Sequence, residues 1–167
     1  MNKNKRFVTP LLLALFAVSL GAAALESDSK DPVYIDANSA TYDEKKGEAI
    51  YIGNVQAVQG TMTVNSDQMN VLLQGGKVNK IIAVGNPVRI KQTQKVAAST
   101  INSTSQKAEY YPNEYRLVLI GKAVVVQGGN TYTSDLIEYD TRNAIVTAGQ
   151  KSSGSKRVHV KIGGAGE

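Results

Sequence analysis

Cysteine is absent from this 167-residue chain, and its absence excludes several kinds of structure and chemistry. No disulfide can stabilise the fold, no thiolate can bind zinc, and no cysteine nucleophile can pair with a histidine. Tryptophan is absent too, so aromatic packing falls mainly to the eight tyrosines. The fold must therefore be held by side-chain packing and by backbone hydrogen bonds between its elements.

Histidine is almost absent, because His159 is the only one in the chain. Its neighbours Arg157 and Lys161 are basic, whereas a serine–histidine–acid triad needs a histidine buried beside a carboxylate. The sequence therefore argues against a serine hydrolase. We find no constellation of residues that an enzyme would need, and we predict no catalytic residue, no metal and no cofactor.

Long apolar runs are limited to the start of the chain. Lys3, Lys5 and Arg6 precede an almost wholly apolar stretch from Phe7 to Gly21, and small residues follow. This is the pattern of a secretory signal peptide, residues 1–24, and we predict cleavage after Ala24. A retained membrane anchor is disfavoured, because about 15 apolar residues interrupted by a proline are short for a spanning helix.

The predicted mature chain, residues 25–167, has the size of one domain. Its formal charge falls from +5 to +2 when the three basic residues of the leader are removed (5 − 3 = 2). That charge is weak support for a nucleic-acid partner, which asks for a strongly basic face. An exported domain without disulfides favours a bacterial periplasm, and we predict a soluble periplasmic protein.

The mature chain shows a strand pattern throughout. No window after Gly21 has a 3.6-residue apolar period, so we expect essentially no helix. Instead, β-branched and aromatic residues alternate with polar ones between turn signals such as Gly75-Gly76 and Gly128-Gly129. The pattern predicts an all-β fold of about sixteen short strands. An antiparallel meander with one apolar face closes into a barrel or folds into two facing sheets, and an internal repeat favours a jelly roll.

One stretch of sequence occurs twice. Gly53 to Val71 reads GNVQAVQGTMTVNSDQMNV, and Gly121 to Asp140 reads GKAVVVQGGNTYTSDLIEYD. The copies align without a gap at an offset of 68 residues (121 − 53 = 68). In each copy we interpret Gly-Asn or Gly-Lys as a tight turn between antiparallel strands, and Ser-Asp as a second, side-chain-capped turn.

Paired carboxylates are the remaining enzymatic option, because glycosidases use two of them. Asp67 and Asp135 are the acids at the repeated position, but each follows a serine where a turn needs a side-chain cap. Capping is the favoured interpretation, and a periplasmic carbohydrate-binding or glycan-cleaving β-domain stays as the alternative function. Tyr42 and Tyr110, also at equivalent repeat positions, fit packing in the sheet at least as well as stacking on sugars.

Two segments are predicted to be the ends of the sheet. Pro32–Asp36 opens the series of strands and Arg157–Ile162 closes it, and both alternate cleanly. An edge strand is prone to pair with another chain unless a device such as basic side chains prevents it. Two interpretations stay open: the edges are protected, or the first strand of one molecule pairs with the last strand of another.

The middle segment of the chain combines apolar and cationic positions. The cations are Lys77, Lys80, Arg89 and Lys91. A binder of amphiphiles with acidic head groups needs both an apolar face and cations, so these four are candidate phosphate contacts. A solvated sheet face is the simpler interpretation of any one of them.

Three segments together carry a family resemblance: PVYIDANSATYD from Pro32, GNVQAVQGTMTVNSD from Gly53, and GKAVVVQGGNTYTSDLIEYD from Gly121. Their order and spacing resemble the OstA-like domain over residues 31–162. The resemblance implies an open, twisted antiparallel β-jelly roll that holds the acyl chains of lipopolysaccharide in an apolar interior. It further implies a non-enzymatic carrier that serves outer-membrane assembly.

The resemblance also implies partners and groove residues. Family members stack end to end and link the LptC subunit of the inner-membrane transporter, at the N-terminal edge, to LptD in the outer membrane, at the C-terminal edge. By the same resemblance, Val33, Ile35, Ile90 and Tyr110 line the acyl groove, although Ile90 stands where an aromatic residue is common. Alternation independently places Val33 and Ile35 on one face. A filament that assembles without lipid is a third interpretation.

Overall fold

The computed structural model describes residues 31–93, 100–143, 145–149 and 157–163. Within them lie ten β-strands and one 3₁₀ turn, Pro112–Glu114. The strands are β1 (Val33–Asp36), β2 (Ser39–Asp43), β3 (Glu48–Gln59), β4 (Met62–Gln74), β5 (Lys77–Thr93), β6 (Thr100–Tyr111), β7 (Arg116–Gln127), β8 (Asn130–Asp140), β9 (Ile145–Ala148) and β10 (His159–Lys161). The predicted signal peptide and its cleavage site after Ala24 lie outside the described residues, as do both ends of the predicted domain.

All ten strands belong to one antiparallel sheet with two free edges. The strand order is β1-β3-β4-β5-β6-β7-β8-β10, with β2 paired to β3 beside β1, and β9 paired to β8 beside β10. The predicted all-β class is confirmed, and the described segments contain no α-helix. Accordingly, nothing in those segments is a helix long and apolar enough to cross a membrane.

The strands are fewer and longer than predicted, ten instead of about sixteen. The predicted interruptions fall where the register between neighbouring strands shifts, between Ile52 and Val55 in β3 and between Val84 and Val88 in β5. A β-bulge of this kind bends a strand and increases its twist without ending it. The hydrogen-bonded ladder resumes beyond each bulge, so two predicted strands become one.

The Gly53-Asn54 and Gly121-Lys122 pairs of the sequence repeat form such bulges, and their interpretation as turns between strands is wrong. Gly53 and Asn54 have φ values of 82° and 48°, and Gly121 and Lys122 have φ values of 76° and 47°. Two successive residues with positive φ suit a tight turn and a bulge alike, because both conformations favour glycine. A true turn lies at Gly128–Gly129, as predicted.

The sequence repeat is preserved in the register of the sheet. β1 and β2 pair with β3 in the same way that the single strand β6 pairs with β7. Val33 faces Gln59, and Ile101 faces Gln127 at the same offset (101 − 33 = 68; 127 − 59 = 68). The second copy therefore repeats the hydrogen-bonding pattern of the first, and one long strand replaces two short ones.

The sheet folds over on itself around an apolar interior. Met62 in β4 and Tyr139 in β8 line the same small cavity, although β5, β6 and β7 separate their strands in the sheet. Val88, Leu119 and Ile137 have no exposed surface at all. The predicted jelly-roll arrangement, an open sheet wrapped around its own apolar face, is confirmed.

Candidate functional site

An apolar cavity of about 40 Å³ lies inside the folded sheet. Its wall is built by β1 and by β3 to β7, and includes Ala57, Met69 and Leu117. A second cavity of about 10 Å³ shares Leu117 with the first and extends to Tyr139 in β8. The two cavities mark one continuous apolar seam between the facing parts of the sheet.

Three of the four predicted groove residues line the larger cavity, namely Val33, Ile90 and Tyr110. Ile90 and Tyr110 are buried, whereas Val33 is half-buried on the edge strand β1. Ile35 is not part of the cavity wall, but it is half-buried and packs against the same core. The structure therefore brings edge residues and residues from the middle of the sheet into one apolar interior.

Several residues that shape the cavity were not identified from the sequence. Ala83 and Ala108 face each other across β5 and β6, and both are buried. Small side chains at facing positions leave space that larger ones would fill. Met62 and Met69 contribute to the wall from β4, and their flexible thioether side chains adapt to an irregular space. The sequence did contain a signal for Ala83: it lies two residues after Ile81, and residues two apart on a strand face the same side of the sheet.

Exposed large apolar side chains concentrate at the two edges of the sheet. Tyr34 and Tyr42 lie at the first edge, Ile145 lies on β9, and Val160 and Ile162 lie at the last edge. In the described part of the chain, β1 and β10 each pair with one neighbour only. Unpaired backbone groups beside apolar side chains are what strand addition by another chain requires. The predicted terminal segments are thus the true ends of the sheet.

A family model supplies the decisive comparison. The model described as LptA/(LptD N-terminal domain) LPS transport protein matches residues 34–145. The chain belongs to this family. Its members are lipopolysaccharide transport proteins, and the predicted OstA-like resemblance is confirmed.

Individual relatives agree with this membership. The LPS transport chain is 33% identical over 156 residues to the lipopolysaccharide export system protein LptH of Pseudomonas aeruginosa, covering 90% of this chain and 89% of that one. It is 28% identical over 141 residues to LptA of Escherichia coli K12, covering 82% and 76%. The crystal structure of Pseudomonas aeruginosa LptH, titled an LptA-homologous periplasmic component, matches with a TM-score of 0.75 at 30% identity, covering 81% and 98%.

In this LPS transport protein, the four predicted phosphate contacts do not form one cluster. All four lie on β5, with Lys77 and Lys80 towards one end and Arg89 and Lys91 towards the other. Lys80 and Arg89 are nine residues apart (89 − 80 = 9), which is about 30 Å along an extended strand. One phosphate group therefore cannot contact both pairs.

Lys80 belongs to a polar network centred on Glu109. The Glu109 carboxylate lies 2.9 Å from Lys80 Nζ and 2.6 Å from Lys107 Nζ, and it accepts a hydrogen bond from Tyr111 Oη at 2.7 Å. Burial opposes ionisation of Glu109, but these three hydrogen bonds outweigh it and lower the pKa of its carboxyl to about 2. A phosphate group approaching Lys80 would have to compete with this carboxylate.

The repeated acids and the single histidine give the glycan-cleaving alternative no support. Asp67 Oδ2 accepts a hydrogen bond of 3.0 Å from the backbone N–H of Asn86, so this carboxylate caps backbone at a bulge. Capping by Asp67 is as predicted, except that it occurs at a bulge within the sheet and not at a turn between strands. His159 is exposed on β10. No group of three or more His, Asp or Glu residues within the described segments could hold a metal ion.

Proposed function

We propose that this chain binds lipopolysaccharide through its acyl chains and carries it across the periplasm, as one unit of an end-to-end protein bridge from the inner to the outer membrane. The observation that carries this function is a single apolar interior, lined by Val33, Ile90 and Tyr110, in a sheet with two free edges. Each methylene group removed from water contributes about 0.8 kcal/mol. An apolar interior that continues from one molecule to the next keeps the chains out of water throughout.

Loading an acyl chain requires the folded sheet to part. The cavity of about 40 Å³ holds about three water-sized molecules, whereas an acyl chain of lipopolysaccharide is far larger. The edges are the parts that open most easily, because β1 has four residues, β10 has three, and each has one neighbour in the described sheet. Few hydrogen bonds have to break there, and such regions have low local stability.

Photo-crosslinking at position 35 tests lipid binding. A photoreactive residue in place of Ile35 would face the interior, whereas one in place of Tyr34 would face outward, since Tyr34 is 67% exposed. We expect a lipopolysaccharide adduct at position 35 and none at position 34. Equal labelling at both positions, or none at position 35, would contradict acyl binding.

A charged substitution separates lipid binding from assembly alone. Ile35→Asp places a carboxylate at a half-buried position of the short edge strand β1, so the fold should persist. We expect it to reduce the lipopolysaccharide adduct formed by a photoreactive residue at position 90. If the chain is only a filament that binds no lipid, no adduct should form at position 90 with or without Ile35→Asp, and assembly should be normal in both cases.

The two edges fit each other in one antiparallel register. An antiparallel arrangement of β10 against β1 of a second copy continues the alternation of strand direction within the sheet. When His159 faces Asp36, Val160 faces Ile35 and Ile162 faces residue 33 on the inner side. Lys161 then faces the exposed ring of Tyr34 on the outer side, so the register pairs apolar with apolar, imidazole with carboxylate, and ammonium with aromatic ring.

That register extends a row of paired positions that already crosses the molecule. The row consists of Asp36, Gln56, Asn65, Arg89, Thr104, Val124, Thr133 and His159. Asp36 is its first member and His159 is its last. A second copy placed in register therefore sets a carboxylate directly opposite an imidazole that can donate a hydrogen bond to it, and a polar cross-strand pair of this kind contributes about 0.2 to 1 kcal/mol.

The same edges are assigned to the two membrane-bound partners. We place LptC at the edge formed by β1 and LptD at the edge formed by β10, with further copies of this chain between them. Support comes from the family description, which joins LptA with the N-terminal domain of LptD. A domain of the same family offers the same kind of complementary edge.

Disulfide trapping tests the register, and because the chain has no native cysteine, only the introduced cysteines can form disulfides. Asp36→Cys combined with His159→Cys should give a ladder of disulfide-linked multimers on oxidation, because directly opposite Cβ atoms lie within about 5.5 Å. Asp36→Cys combined with Lys161→Cys is the matched control, two residues out of register. Equal ladders for both variants, or none for the first, would contradict this register.

A further inference from the structure

The outer face of the sheet carries a polar cleft of about 420 Å³ that the acyl site does not use. Seven polar residues line it: Asp36, Asn54, Gln56, Asn65, Ser66, Asp67 and Arg89. We infer that this cleft binds a neutral, hydroxyl-rich saccharide. The cleft and the acyl cavity lie on opposite faces of the sheet, because the residues next to Gln56 and Arg89, Ala57 and Ile90, line the cavity.

Aligned bulges create the cleft. The register shifts between residues 52 and 55 in β3, between 65 and 68 in β4, and between 84 and 88 in β5. These three strands are neighbours, so their bends coincide and make the outer face concave. Each bulge contributes to the lining: Asn54 from β3, Ser66 and Asp67 from β4, and Pro87 from β5.

The lining chemistry matches hydroxyl groups better than an anion. A hydroxyl both donates and accepts hydrogen bonds, and the cleft offers carboxylates, amides and one guanidinium. The two carboxylates, Asp36 and Asp67, outnumber the single Arg89, so a phosphate group would be repelled on balance. Within the described chain, neither Asp36 nor Arg89 forms a salt bridge. Pro87 adds an apolar surface for the C–H face of a sugar ring.

The second repeat copy shows that the bulge itself does not require these polar residues. At the offset of 68, Thr104, Val124 and Thr133 stand where the first copy has Asp36, Gln56 and Asn65 (104 − 36 = 68). The second copy keeps the bulge, with the register shift between Ile120 and Ala123. Because the bulge forms in both copies, Asp36, Gln56 and Asn65 are not needed to make it, which is consistent with a role in ligand binding.

This site rests on the proposed function, since it assigns the sugar portion of the same lipid to a place on the chain. Asp36 of the cleft and Val33 of the cavity belong to the same four-residue strand β1, at a free edge. Before a second copy pairs with this edge, a lipid with its acyl chains inside can pass its sugars around β1 to the outer face. Sugar binding there would orient the head group as the lipid moves.

Amide NMR titration tests the cleft. The probe is the dephosphorylated oligosaccharide released from lipopolysaccharide by mild acid, and the expected result is saturable shifts at Gln56, Asn65 and Arg89. Arg89→Ala and Asn65→Ala should each weaken binding about tenfold, the loss of one or two hydrogen bonds. Gln74→Ala is the matched control for Asn65→Ala, because Gln74 carries an amide on the same strand, is exposed, and does not line the cleft.

Three outcomes overturn the saccharide site. One is the absence of oligosaccharide shifts at the cleft, and another is an equal loss of binding in Gln74→Ala. The third is saturation of the same amides by inorganic phosphate, which would make the cleft an anion site. Photo-crosslinking at position 35 separates the two functions: an adduct there without oligosaccharide shifts refutes only the saccharide site. Shifts without an adduct refute only acyl binding.

Discussion

Ile90 offers a matched test of the acyl site, because valine and threonine have nearly the same shape. Ile90 is 5% exposed and lines both apolar cavities. Ile90→Val should lower the free energy of unfolding by about 0.5 to 1.5 kcal/mol. Ile90→Thr should lower it by about 1 to 3 kcal/mol more, because its hydroxyl is buried among apolar side chains.

Lipid binding should separate the two variants further. When an acyl chain lies against residue 90, the threonine hydroxyl stays without water, so its desolvation weakens binding by about 1.4 kcal/mol, or tenfold, relative to valine. Val88→Thr is the control: Val88 lies on the same strand, has no exposed surface, and is not part of the wall of either cavity. It should lose stability and keep its affinity for lipid.

Urea unfolding measures the stability of the three variants, and displacement of a fluorescent acyl probe by lipopolysaccharide measures their affinity. The chain has no tryptophan, so its own emission does not obscure the probe. If Ile90→Thr binds as tightly as Ile90→Val, residue 90 does not contact the acyl chain. If Val88→Thr weakens binding equally, the effect is a general loss of packing.

Three further perturbations test other parts of the structure. A left-handed alanine costs about 1 to 2 kcal/mol, and Gly121→Ala should lower the free energy of unfolding by more than that, because the added Cβ would also lie 3.3 Å from Gln106 Cβ. Gly75→Ala, with φ of 58° and nothing within 4 Å of the added Cβ, should show the conformational cost alone in urea unfolding. Glu109→Gln should lower the free energy of unfolding by about 1 kcal/mol at neutral pH. In the unsubstituted chain Glu109 is ionised above about pH 4.5 and becomes protonated as the pH falls towards 2, so its contribution to stability is lost in that window. An acid titration should therefore show a smaller loss of stability for Glu109→Gln than for the unsubstituted chain. Asp36→Lys should weaken end-to-end assembly in sedimentation experiments, and a second change, His159→Asp, should restore it.

The bulges show why strand boundaries were harder to predict than strand content. Alternation of apolar and polar residues predicted strands on both sides of each bulge, and the all-β class followed from it. The Gly53-Asn54 pair was assigned to a turn because its backbone angles suit either structure. Only the hydrogen bonds beyond the pair, such as Ile52 opposite Gln68 and Val55 opposite Ser66, show that β3 continues.

The candidate groove was partly predictable for a similar reason. Val33 and Ile35 follow from alternation along one strand, whereas the proximity of Ile90 and Tyr110 depends on how distant strands fold over each other. The prediction that Ile90 and Tyr110 line the groove came from the family resemblance and not from the periodicity of the sequence. The cations of β5 were grouped by their closeness in sequence, but an extended strand separates Lys80 from Arg89 by about 30 Å.

The cross-strand row gives the molecule two unlike ends, an acidic Asp36 on β1 and His159 on β10. Paired head to tail, the Asp36 carboxylate of one protomer meets the His159 imidazole of the next, and two first edges or two last edges would lack this pair. In the proposed bridge, every protomer therefore faces the same way. A column that grows in this way has a direction, and that direction is set by the order of the strands within each protomer.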